Sequence, residues 1–349
     1  MRLPKFHRPT RRALLITISV IVAVALLATI GYFAIYWSGL SSLTDRDNVI
    51  TAPESLIDDA ENDGLTVVYK GETYRYNDSV ISLLFMGVDK TDIHSDASAY
   101  GSNGQADSLF LATLNTKTGG VKVIPLSREM MADINLYDAA GTFIGTEKRQ
   151  LCLAYAYASN AQEGCENVSR SVGRLLYGMP IDGYVAIDME GLKALNKAVG
   201  GVTVQVLEDL SIFTGSTTIT LVKGQTVTLD DHTVRSYIQL RGEDVNANDR
   251  RMQRQKQFLN EFIRTAANNI KKNFTLVEKY YTAAKPYAAS DLTLSEITYL
   301  ASTYLVGGQS AIEYISITGE SKMVDEHVGF YADETSMYEA VLSAFYVKE

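Results

Sequence analysis

The sequence predicts a layered α/β domain behind a single transmembrane helix, and three observations carry that prediction. The chain has no charged residue from Ala13 to Trp37. From residue 82 onward, short apolar runs bounded by turn residues have the length and composition of strands. Between and after them, helical patterns close on glycine, so that strands and helices alternate along the chain.

The opening MRLPKFHRPTRR carries five basic residues and no acid. The uncharged run behind it is about the length that crosses a bilayer as a helix, and basic residues before a span keep the N-terminus in the cytoplasm. A cleaved signal peptide is the other reading, but its apolar segment is only about 7–15 residues long. The expected organisation is a cytoplasmic tail over 1–12, an anchor over 13–37, a polar stalk with a hairpin in LTVVYKGETYRYN over 38–75, and an extracytoplasmic domain over 76–349. The net charge is −9 despite the basic tail. An acidic outer portion argues against a general nucleic-acid binder and makes any local basic cluster informative. Two cysteines, Cys152 and Cys165, fall on the outer side, where an oxidising compartment favours a disulfide between them.

The domain begins with three strands. SLLFMGVD ends at Asp89, DSLFLATLN starts at Asp107 after a Gly/Ser/Asp-rich loop, and VKVIPLSRE follows the turn TKTGG and reaches Arg128. Paired as an up-down-up meander, they would bring Asp89, Asp107 and Arg128 to one end of the sheet. A helix is expected around CENVSRSVGRLLYG, a strand in GYVAID, and a helix in MEGLKALNKAV that stops at Gly200 and Gly201 before the strand VTVQV. Later come LDDHTVRSYIQL, a long helix from about Asp249 to Lys271, an amphipathic TLSEITYLASTYL, a β-like IEYISI and a terminal helix in DETSMYEAVLSAFY. The four histidines show no metal-ligand spacing.

The stretch LRGEDVNANDRRMQRQKQ gathers Arg241, Arg250, Arg251, Arg254 and Lys256 around the start of the long helix. Met252, Leu259, Phe262 and Ile263 recur at helical spacing and should face the core, with Arg251, Arg254 and Phe258 as the neighbouring stripe. Cations at a helix N-terminus are disfavoured by about 0.3–1 kcal/mol each. A bound phosphate would reverse that, using free helix N–H groups and guanidinium forks together. Ion pairing with Glu243, Asp244 and Asp249 is the other use of the same arginines, and the sequence leaves both open.

Taken together, LLFMGVD, ADSLFLATLN, VIPLSRE, LLYGMPIDGYVAIDMEGLKALNKAVGGVTVQV and YIQLRGEDVNANDRRMQRQKQFL resemble, in order, the LytR-CpsA-Psr family of membrane-anchored cell-wall glycopolymer transferases. The likeness runs over about residues 82–265 behind the single span. It implies an α-β-α sandwich around a central mixed sheet that holds a polyprenyl diphosphate, with the lipid tail in an apolar groove and the head group among arginines beside Mg²⁺. It implies transfer of a glycan from that carrier to peptidoglycan at the outer face of the membrane. Residue by residue, Asp89 and Asp107 match the metal-site carboxylates, and Arg128 matches the arginine of a Pro-Arg-Asp motif, here between Ser127 and Glu129. Arg241, Arg251 and Arg254 match the later basic motif, completed by Gln255, which makes Arg128, Arg241 and Arg251 the candidate catalytic groups. Lys90 and Thr91 follow Asp89 where an arginine is usual. Gln105 and Gln239 also stand at arginine positions, and Asn248 stands at an aspartate position. A non-catalytic lipid-diphosphate binder and a pyrophosphatase on the same donor are the rival functions these departures leave open.

Overall fold

In a computed structural model, residues 38–40, 43, 65–213, 217–240, 247–308, 311–324 and 327–349 are described, with backbone alone at 247 and 248. The expected anchor over 13–37 and Arg241 lie outside the described residues. Among the described residues, no helix is long and apolar enough to cross a membrane.

Strands β1 (Thr66–Tyr69) and β2 (Glu72–Tyr76) form the expected hairpin. Its turn residues Lys70 and Gly71 have φ of 52° and 76°, the left-handed pair whose twist suits a two-residue connection. Strands β3 (Val80–Val88), β4 (Ala106–Asn115) and β5 (Val121–Leu126) form the predicted antiparallel meander. A hairpin of β6 (Met131–Tyr137) and β7 (Phe143–Gln150) follows; β7 is exposed along most of its length, so it carries no apolar alternation to read.

Helix α1 (Ala161–Leu175) begins ahead of the Cys165 onset that the pattern suggests, because the Asn160 side chain accepts from Glu163 N at 3.0 Å and caps the first turn. Strand β8 (Gly183–Ile187) returns parallel to β3, and α2 (Met189–Val199) ends on Gly200 at φ 92°, as the glycine pair predicts. Next, β9 (Val202–Gln205) pairs with β12 (Thr226–Leu229), enclosing the hairpin of β10 (Leu210–Phe213) and β11 (Thr218–Leu221). Helices α3 (Val234–Gln239), α4 (Ala247–Lys272) and α5 (Leu276–Ala284), strand β13 (Ala288–Ser290) and helix α6 (Leu294–Val306) follow. The chain closes through β14 (Glu313–Tyr314), the hairpin of β15 (Gly319–Val324) and β16 (His327–Ala332), helix α7 (Glu334–Phe345) and β17 (Tyr346–Lys348).

The central sheet has the order β13-β8-β3-β4-β5-β14 and is mixed: β8 runs parallel to β3 and β14 parallel to β5, while the other pairs are antiparallel. Alternation sorts its side chains. Leu84, Met86, Leu109, Leu111 and Ile124 enter the main core with Val168 and Val172 of α1 and Val341 and Phe345 of α7. Phe85, Phe110, Ala112, Val123 and Val185 point the other way, toward α2 and α4. Helices on both faces make the three-layer arrangement.

The β1–β2 hairpin packs onto the domain, because β17 pairs with β2 and Val67 is buried in the main core. One expectation is corrected. The cysteines are not joined; both are buried free thiols. Cys165 packs in the core with Val168 and Val172, whereas the Cys152 sulfur contacts the Arg128 guanidinium, so the two groups have separate partners.

Candidate functional site

The sheet end that carries the carboxylates is shaped by an irregularity. Gly87 pairs with Ser108 but Val88 pairs with Ala106, which makes Asp107 the extra residue of a β-bulge. Strict alternation would put Asp107 on the same face as Leu109. Instead Ala106 and Leu109 both enter the core, and Asp107 and Ser108 line a small hollow of mixed polarity at its edge. Asp89 is the first residue beyond β3 and is exposed, and its N–H donates to Gln105 O at 3.0 Å. Arg128 lies two residues beyond β5, with Nη1 2.6 Å from Asp107 Oδ1. The meander thus brings Asp89, Asp107 and Arg128 to one end, as the strand pattern predicts.

Helix α4 supplies the opposite wall. Arg251 is 7% exposed and lines the hollow with Asp107, Arg128, Met252 and Gln255. Gln255 is oriented by its amide, which donates to Ile238 O at 3.3 Å. Arg254 is only 2% exposed, and its donors are committed within the fold. Its Nε donates to Tyr237 O at 2.6 Å, Nη1 meets Glu208 and Nη2 meets Leu240 O. Burial pulls the Arg254 pKa below the ordinary arginine value, and Glu208 opposes that pull. Arg250 joins the same carboxylate, with Nε 2.8 Å from Glu208 Oε2. The sequence-predicted cluster is therefore divided: Arg251 faces the hollow, while Arg250 and Arg254 brace α4 against Glu208 in the turn between β9 and β10. Glu208→Ala is expected to lower stability by about 3 kcal/mol, the scale of stranding a buried charge, read as an earlier midpoint in chemical denaturation.

Behind the hollow lies an apolar cavity of about 290 Å³ between the sheet and helices α2 and α4. Phe110, Val185, Leu192, Phe258 and Phe262 line it. Leu259, Phe262 and Ile263, expected to face the core, border this space, and Phe262 also packs against the core cluster that holds Phe258. Periodicity gives the face that leaves water and is silent on whether that face meets protein or a void. Ser108, Phe110 and Gln255 border both hollow and cavity, so the two lie side by side. The result is a pair of arginines beside an apolar space, the chemistry of an amphiphile with an anionic head.

Asp188, quoted only as a strand end in the sequence, borders this cavity and is buried. Its oxygens accept from Gly191 N at 2.8 Å and Ile93 N at 3.2 Å, so it caps α2 and fastens the loop after Asp89. Lys90 is turned into that loop, with Nζ donating to Ser95 O at 2.6 Å and Asn103 Oδ1 at 2.9 Å. Gln239 accepts from Arg235 Nε at 2.8 Å. Among the described residues there is no group of three or more His, Cys, Asp or Glu placed to hold a metal ion.

Comparisons with known proteins agree with this geometry. The polyisoprenyl-teichoic acid–peptidoglycan teichoic acid transferase TagV of Bacillus subtilis (strain 168) is 27% identical over 325 residues, covering 92% of this chain and 75% of that protein. The polyisoprenyl-teichoic acid–peptidoglycan teichoic acid transferase TagU of the same organism is 24% identical over 331 residues, covering 95% of this chain and 94% of its own. The crystal structure of B. subtilis TagV superposes with a TM-score of 0.61 at 25% identity, over 76% of this chain and 96% of that one. The LytR_cpsA_psr family model matches residues 51–343, well over half of the sequence, and the chain belongs to that family.

Proposed function

We propose that this protein is a membrane-anchored phosphotransferase that moves a glycopolymer from an undecaprenyl-diphosphate carrier onto peptidoglycan. The observation that carries the reading is the placement of Arg128 and Arg251 directly beside an apolar cavity of about 290 Å³, which suits the anionic head and the prenyl tail of one molecule. The named transferase activity of TagV and TagU supports the same donor and acceptor classes.

In this reading Arg128 and Arg251 bind the diphosphate, with Gln255 at the junction with the tail. Arg241 is assigned to the same head group by resemblance, and Arg254 holds the helix that presents Arg251. The acceptor hydroxyl adds to the phosphorus that bears the glycan, the bond from that phosphorus to the bridging oxygen breaks, prenyl phosphate departs with the electron pair, and the hydroxyl proton passes to that phosphate or to solvent. Fixed guanidinium groups stabilise the charge that gathers on the phosphoryl oxygens without having to reorganise. The donor set fits Mg²⁺: Asp89 and Asp107 are hard carboxylates on neighbouring strand ends, and this ion takes one or two carboxylates and completes its shell with phosphate and water. When bound, it would add Lewis-acid stabilisation to the same oxygens. Residues 1–12 are proposed as the cytoplasmic tail and 13–37 as the anchor, which puts the catalytic domain outside the membrane.

The full chain incubated with lipid-linked donor, a peptidoglycan oligomer and Mg²⁺ tests the proposal. Glycan joined to the oligomer is the expected result. Free glycan phosphate would instead mark a pyrophosphatase, and an intact donor held tightly would mark a binding protein. A second variant isolates the cavity: Ala112→Trp fills it from β4 and is expected to weaken donor binding by about tenfold or more, while inorganic pyrophosphate binds as before. Titration calorimetry with both ligands reads the difference.

A further inference from the structure

The Arg128 guanidinium has two sides with different partners. Nη1 lies 2.6 Å from Asp107 Oδ1. Nη2 donates to Gln105 Oε1 and to Cys152 Sγ, the latter at 3.5 Å, and Cys152 Sγ–H donates to Gln105 Oε1 at 3.8 Å. The backbone reinforces the arrangement, because Cys152 N donates to Arg128 O at 3.1 Å and Gln105 O accepts from Asp89 N at 3.0 Å. Three segments distant in sequence thus close a ring around one side of one arginine. We infer that Gln105 and Cys152 are positioning residues that split the Arg128 fork, keeping Nη2 turned away from Asp107 so that the guanidinium stays open to the diphosphate and the carboxylate to a cation.

The physical argument runs through geometry. An arginine beside a carboxylate tends toward a bidentate pair that engages both acid oxygens. Such a pair would occupy the donor groups and the acid together, leaving neither for a phosphate or a cation. Gln105 accepts from Nη2 without adding a charge, and the buried thiol both accepts from Arg128 and donates to Gln105. Burial pushes the Cys152 thiol pKa up, against the pull of Arg128, which keeps its proton available for that donation. Serine has the same two capacities and alanine has neither.

This inference rests on the diphosphate reading of the site, and a double-mutant cycle separates the two. Inorganic pyrophosphate binding and transfer kinetics are measured on the full chain for Gln105→Leu, Cys152→Ala, Cys152→Ser and Arg128→Ala, with thermal melting as the folding control. Gln105→Leu is expected to weaken pyrophosphate binding and lower kcat/KM by about tenfold, and Cys152→Ala by about threefold, with both effects vanishing in the Arg128→Ala background. Cys152→Ser is expected to stay within about twofold of the unchanged protein. Losses that persist undiminished without Arg128, or a Cys152→Ser variant as impaired as Cys152→Ala, would overturn the positioning role while leaving the diphosphate site intact. If Arg128→Ala itself binds and transfers normally, the site assignment fails and the ring with it. Should Gln105→Leu not fold, Gln105→Asn, which shortens the reach of the amide, carries the same cycle.

Discussion

Arg251→Ala is expected to lower kcat/KM for glycan transfer on the order of a hundredfold or more and to weaken inorganic pyrophosphate binding by at least tenfold. Arg251 stands on the first turns of α4 with its side chain 7% exposed, facing Asp107 and Arg128 across the hollow. A guanidinium so desolvated acts on an anion through a medium of low polarisability, where each charge-assisted hydrogen bond is worth about 1.5–3 kcal/mol. Its neighbours cannot replace it. Arg254 has its donors committed to Tyr237 O, Glu208 and Leu240 O, and Arg250 is paired with the same Glu208. Arg251→Lys should recover only part of the loss, because an ammonium supplies the charge without the planar fork. Calorimetry with pyrophosphate and steady-state transfer assays check both variants, and unaltered affinity and turnover in Arg251→Ala would remove it from the site.

Asp107→Asn should produce two effects of opposite sign. Transfer is expected to fall on the order of a hundredfold and to lose its response to added Mg²⁺, since one of the two proposed carboxylate ligands becomes neutral. Binding of pyrophosphate without metal should hold or tighten, because the substitution removes a negative charge from a hollow meant for an anion and releases Nη1 of Arg128 from its 2.6 Å contact. Metal titrations of activity, run beside metal-free calorimetry, read the two effects separately. A purely structural role for Asp107 predicts instead that both measurements decline together with thermal stability.

Much of the site was legible because its residues sit at the ends of strongly patterned elements. Asp89, Asp107 and Arg128 flank three apolar runs, and a meander brings alternate ends of consecutive strands together whatever the details of packing. Gly200 stopped its helix where expected, since a left-handed cap is a local requirement. Other features were illegible for equally specific reasons. The bulge that turns Asp107 out of the core depends on how β4 registers against β3, and β7 has no buried face to advertise itself. Glu208 lay in a short acidic turn with nothing local to mark it as the partner of Arg254, 46 residues away. Cys152 and Cys165 suggested a disulfide from compartment alone, and only their separate environments assign one to the core and the other to Arg128.

The sequence by itself determined the order of elements, the sheet end that gathers the carboxylates, the cationic start of α4 and the family likeness. Each of these is written in local periodicity, in caps and in short motifs. The tertiary structure decided which arginine faces the hollow, that the apolar stripe of α4 borders a cavity beside that hollow, and which groups hold Arg128. Periodicity specifies the face a side chain occupies, whereas its partner and the space before it depend on segments brought together only by the folded sheet and the helices around it.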